Sequence, residues 1–155
     1  MLARYLILLG LILTASACAN RPGVVAYGPM SANGGYQETE IEPGVWRVFA
    51  RSSGQAGAGY AWNMAEYRAG ELLKARGFSH IQMLKRDGRW ELSDDLSGDP
   101  RRVLSDAMEV TVRGAHDRSP PTDCRAANPD ACWTLNIDAM MAGIRPRLKF
   151  AKSGT

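Results

Sequence analysis

The chain has 155 residues, 45% of them hydrophobic and 23% charged, with a formal net charge of +3. That length fits a single domain. So small a cationic excess, +2 once Arg4 is set aside with the leader, argues against nucleic acid as a partner.

The first elements are a leader and a tether. Arg4 precedes an apolar run from Leu6 to Leu13, and the small residues Thr14-Ala-Ser-Ala lead to Cys18. A cationic start, a short apolar core and a small-residue end make a secretory signal over residues 1–17. The run is far short of the roughly 20 residues that span a bilayer, so no permanent transmembrane helix is expected there. Small residues ending directly at a cysteine resemble the bacterial lipobox, although Ala15 stands where leucine is more usual. The resemblance implies lipidation at Cys18 and, with Ala19 rather than aspartate following it, sorting to the outer membrane. Residues 18–35, rich in glycine, proline, asparagine and serine, read as a tether. Within it, Val24, Val25 and Tyr27 could dock on the domain that follows, over residues 36–150.

That domain opens on YQETEIE, a polar segment suited to an edge strand. Pro43-Gly44 turns the chain into VWRVFARS, where Trp46, Val48 and Ala50 share one face, and Arg47 and Arg51 flank Phe49 on the other. Gly54, Gly57 and Gly59 follow. Their spacing matches neither phosphate-binding pattern, and no lysine follows them, so they read as a connection. A helix is predicted over about 59–76, with Ala61, Ala65, Ala69, Leu72 and Leu73 as its apolar stripe; Glu66, Arg68, Glu71 and Lys74 are placed on the solvated side. FSHIQMLK reads as a strand, Asp87-Gly88 as a hairpin turn before WEL, and RRVLSDA as a short helix after Asp99-Pro100. MEVTVR and WTLNIDA alternate strictly, which predicts two strands with one buried and one wet face. Together these elements predict an α+β fold: a two-layer, mostly antiparallel sheet of about five or six strands covered by one main helix.

Three cysteines less the anchor leave Cys124 and Cys132, separated by a loop containing Asn128-Pro129-Asp130. An oxidising compartment and an even remainder predict a disulfide between them. His80, His116, the cysteines and the carboxylates do not cluster at ligand spacings, so neither a metal nor another cofactor is expected. His116, Asp117 and Ser119 lie in one polar loop, without the strained nucleophile turn that a catalytic serine requires. Glu38 with Glu40, and Asp94-Asp95 with Asp99, are the acidic groups from which a small cell-wall hydrolase could draw paired carboxylates. No catalytic residue is assigned. Trp62, near the helix start, is the tryptophan placed to face a ligand.

The stretches GGYQETEIEPGVWRVFARSSGQAG and YRAGELLKARGFSHIQML resemble small proteobacterial outer-membrane lipoproteins of uncharacterised function. The resemblance rests on Gly34, Gly35, Tyr36, Glu38, Thr39, Val45 to Val48, Arg68 to Glu71, and Gly77-Phe78. Trp46 stands for a tyrosine and Gly70 for an alanine. It covers about residues 34–84 and implies no activity and no catalytic residues. The expected protein is lipid-anchored, faces the periplasm from the outer membrane and has a non-catalytic role. Its partners are the membrane, through the anchor, and an envelope protein or peptidoglycan.

Overall fold

The computed structural model describes residues 24–53, 56–57, 59–92 and 103–151. Cys18 and the leader, Gly54, Asp94, Asp95, Asp99-Pro100 and Arg101-Arg102 lie outside the described residues. Within them the fold is α+β. Strands β1 (Gly35–Glu42), β2 (Val45–Ser53), β3 (His80–Leu92), β4 (Val103–Ala115) and β5 (Trp133–Asn136) form one sheet in the order β1-β2-β4-β3-β5. Every neighbouring pair in it is antiparallel. Two helices accompany the sheet, α1 (Tyr60–Lys74) and the shorter α2 (Ile137–Ile144).

Alternation builds the main core. Val48 and Ala50 of β2, Met108, Val110 and Val112 of β4, and Ile81 and Met83 of β3 are buried on the face under α1. The helix answers with Ala61, Met64, Ala65, Ala69, Leu72 and Leu73, and the three alanines let its axis lie close to the strands. Gly59, at φ 84°, precedes α1 and offers no side-chain cap. The Ala61 amide instead donates to the buried carboxylate of Asp106 on β4, at 3.0 Å. A strand residue thus supplies the anion that a helix N-terminus attracts.

Four sequence expectations are corrected. Asp87-Gly88 makes no hairpin: β3 runs through it, with Gly88 opposite Met108, and its register shifts instead between Met83 and Lys85 and between Glu91 and Leu92. The predicted helix over RRVLSDA is strand from Val103 onward, because pairing along β2 and β3 outweighs a weak local signal. WTLNIDA is a strand only as far as Asn136, whose side chain accepts the Ala139 amide at 3.0 Å and starts α2. The alternation beyond Asn136 therefore reports a helix. Finally, α1 has no fully solvated side. Glu66, Tyr67 and Gly70 are buried: Glu66 faces Arg86 of β3, Tyr67 packs against Tyr27 and Phe150, and Gly70 lies against α2. A β-carbon on Gly70 would sit about 3 Å from Met140 and Met141 of α2, so the glycine keeps the two helices close.

The sheet's second face is half covered. Cys124 and Cys132 stand at disulfide distance, with Sγ atoms 2.01 Å apart, in the loop between β4 and β5. Arg113 grips Asp123 through both terminal nitrogens, at 2.8 and 2.7 Å. Arg125 donates its amide to the Leu84 carbonyl at 2.8 Å and its guanidinium to Glu42 at 2.6 Å. Val45 and Leu84, both fully buried yet outside the helix-side cluster, and Thr111, 4% exposed, complete a small second core. Thr111 was expected on the wet face. Replacing both cysteines by serine is expected to lower unfolding stability by about 2–3 kcal/mol, since so short a closure restrains the unfolded chain by about that amount. Urea denaturation of oxidised wild type and the double variant measures it.

Candidate functional site

The tether is docked from Val24 onward. Val25 is buried, and its carbonyl accepts the Tyr60 hydroxyl at 2.9 Å. The Tyr27 amide donates to the Lys149 carbonyl at 2.6 Å, and its side chain lies among Tyr36, Tyr67 and Phe150, with ring centroids 4.9–5.3 Å away. Its hydroxyl donates to Glu71 Oε2 at 2.5 Å. This strap then turns into β1 at Gly34 and Gly35, with φ of 121° and 128°. β-Carbons there would overlap the carbonyl oxygens of Arg51 and Pro29 respectively, so neither position accepts a side chain.

Arg68 of α1 closes the strap's cluster. Its guanidinium donates to Glu38 from Nη2 (2.7 Å) and Nε (3.3 Å), and to Glu71 from Nη1 (3.1 Å), and lies 4.9 Å from the Tyr36 ring centroid. Hydrogen bonding to Glu38, and then to Glu71, drives the Arg68 pKa up against its partial burial. Burial, and next the hydrogen bond to Glu71, drives the Tyr27 phenol well above its ordinary value; burial also raises Tyr36, opposed by the Arg68 charge. Gly34, Gly35, Tyr36, Glu38, Arg68 and Glu71, residues that carry the resemblance noted above, therefore converge on one clasp. The clasp holds Val25 and Tyr27 of the strap against α1, β1 and the C-terminal segment.

A second charged pair lies between α1 and β3. Arg86 Nη2 approaches Glu66 Oε1 at 3.1 Å, and its guanidinium lies over the Trp62 ring, with the Trp133 ring centroid 5.9 Å away. Trp62 thus faces a cation of its own chain. Burial raises the Glu66 pKa, opposed by the Arg86 charge, and burial lowers that of Arg86. Arg86 Nε has no hydrogen-bond partner among the described residues, so the pair is a costly, specific contact and not a strong one. Sequence reasoning missed it because the supposed turn at Asp87-Gly88 hid the face on which Arg86 sits.

Beyond the disulfide loop, the second sheet face is open. A shallow groove of about 650 Å³ is lined by Phe49, Lys85, Asp87, Gly88, Arg89, Ala107 and Glu109. A smaller hollow continues along Gln37, Thr39 and Arg47. Arg47 pairs with Glu109 at 3.2 Å and Lys85 with Asp87 at 2.6 Å. Such exposed pairs add little stability. A half-buried aromatic floor with charged and amide rims can stack against and hydrogen-bond an extended polar chain. Phe49 flanked by arginines on a wet strand face was the sequence signal for it.

The other singled-out residues are accounted for locally. Glu38 is bound by Arg68, and Glu40 Oε1 accepts the Gly44 amide at 2.9 Å. Ser79 Oγ bonds His80 Nδ1 at 2.9 Å and donates to the His116 carbonyl at 3.0 Å, while the His116 ring packs on Phe78. Asp117 accepts the Ser119 amide at 2.9 Å, a bond that holds its carboxyl below the usual range. Among the described residues no three His, Cys, Asp or Glu side chains are grouped so as to hold a metal ion, and no helix is long and apolar enough to cross a membrane. Neither protein-family models, curated proteins nor solved structures give a match to this chain.

The clasp carries a pH signature. Because the folded Tyr27 pKa lies above the unfolded value near 10, its contribution is fully present below pH 10 and is lost as pH rises from there toward the folded pKa. Tyr27→Phe is expected to cost about 1 kcal/mol at pH 7 and to flatten the loss of stability between pH 9 and 12. Denaturant unfolding across that range checks both; an alkaline limb as steep in the variant as in wild type contradicts the assignment.

Proposed function

We propose that this chain is a lipid-anchored outer-membrane protein facing the periplasm, in the manner of the small proteobacterial lipoproteins it resembles. Its domain acts as a non-catalytic binding module. The observation that carries this reading is the clasp. Glycines at positions that admit no side chain, three tyrosines and a cluster of two carboxylates and an arginine, Glu38, Glu71 and Arg68, all serve to fix a strap that is described from Val24, six positions after Cys18. So much structure spent on a polar, glycine-rich leader-proximal segment makes sense where that segment transmits an anchor to the domain. The groove around Phe49 lies on the sheet face opposite α1 and is offered to an envelope partner, with peptidoglycan or an envelope protein as the ligand class. An extended polar polymer suits its shallow form and charged rim.

Two experiments test this. Radiolabelled palmitate is expected to label the wild-type protein in cells and to leave Cys18→Ser unlabelled; equal labelling of both removes the anchor. A photo-crosslinking residue in place of Arg89 is expected to capture an envelope protein or peptidoglycan fragments, whereas one in place of Lys74, on the helical side, does not. Turnover of purified peptidoglycan that Glu38→Gln abolishes would replace the binding role by hydrolysis.

A further inference from the structure

The strap brings the anchor-proximal chain and the C-terminal segment to one place. Tyr60 Oη donates to the Val25 carbonyl at 2.9 Å and accepts the Lys149 amide at 3.0 Å, so a single oxygen joins the two segments. The Tyr27 amide to Lys149 carbonyl bond and the parallel bridge Tyr27↔Phe150 extend that junction. Residues 139–151 contain Arg145, Arg147 and Lys149 and no acidic residue. Arg145 is occupied, donating to the Tyr67 hydroxyl at 3.2 Å and lying over Phe150. The side chains of Arg147 and Lys149 are exposed, and Phe150 beside them is 40% exposed.

We propose that Arg147, Lys149 and the exposed part of Phe150 form a contact surface for the headgroups of anionic phospholipids. The proposal rests on anchoring at Cys18, which supplies its geometry. Five residues separate Cys18 from Val24, and those six residue steps reach about 20 Å when fully extended. An anchored domain is therefore confined close to the bilayer by the end from which the strap leaves, and that end carries Arg147 and Lys149, exposed cations with no ion-pair partner among the described residues, and an aromatic ring. Cations near an anionic surface are attracted within about a Debye length, and an exposed phenylalanine ring gains by burial at the headgroup/acyl boundary. The lipid holds the domain near the surface, while the cations select its orientation. The helical layer then turns toward the bilayer and the Phe49 groove away from it.

The test uses the chain from residue 18 onward with Cys18→Ser, which keeps the whole described domain and removes the anchor. At low ionic strength this protein is expected to co-sediment with vesicles containing phosphatidylglycerol and not with vesicles of phosphatidylcholine alone. Raising the salt should release it. Arg147→Gln with Lys149→Gln should weaken binding by on the order of tenfold or more, with an unchanged thermal midpoint, since both side chains are exposed. Failure to bind phosphatidylglycerol, equal binding to both vesicles, or undiminished binding of the double variant overturns the surface. Because this protein has no anchor, none of those outcomes bears on lipidation, which palmitate labelling decides separately.

Discussion

The guanidinium of Arg68 is the point on which the N-terminal part of this structure depends. It stands between a carboxylate from β1 and one from its own helix, and the second of these also takes the phenol of the strap. A charged group shared in this way ties three separate parts of the chain, strap, edge strand and helix, with hydrogen bonds that are stronger than neutral ones because both sides are ionised. Removing the guanidinium would leave two partly buried carboxylates without their shared cation, one of them still taking the Tyr27 phenol, so the clasp would lose its charged tie and gain a local repulsion. The aromatic contacts of Tyr27 would persist, but on their own they do not specify a direction for the chain.

The two faces of the sheet are finished unequally. On one side α1 lies close because Ala61, Ala65 and Ala69 stand among its contact residues, and α2 with the strap fills the flanks that a single helix leaves open. On the other side only the half beneath the disulfide loop is closed, over Val45, Leu84 and Thr111. The remaining half presents Phe49 between ion pairs whose own stabilisation is slight. A domain that completes one face, braces half of the other and leaves the rest polar and shallow has placed its accessible surface opposite the strap. That division of labour underlies both the binding role and the orientation proposed above.

Much of this was legible from residues alone. Period-two patterns in β2 and β4 and the alanine stripe of α1 predicted the layers, since hydrophobic burial has to follow the geometry of each element. The edge character of β1 and the pairing of Cys124 with Cys132 followed from polarity and from counting. What escaped was long-range. Asp87-Gly88 carries a local turn preference, yet its pairing with Glu109 and Met108 of β4 overrides it. The alternation of WTLNIDA is equally compatible with a capped helix after Asn136, and only the Asn136 side chain decides. Glu66, Arg68 and Glu71 looked solvated because amphipathic reasoning gives a helix one partner, whereas this helix has the sheet, α2 and the strap. The clasp itself was visible only as separate residues of a resemblance, and its physical sense required the strap to be placed.

The account stands or falls on whether the strap is fixed to the domain. Native-state hydrogen exchange at the Tyr27 amide, which donates to the Lys149 carbonyl, measures this directly. Protection comparable to that of the amides within α1, falling sharply in Arg68→Gln while α1 remains protected, is the predicted result. Exchange of the wild-type Tyr27 amide at the rate of an unstructured peptide would contradict it.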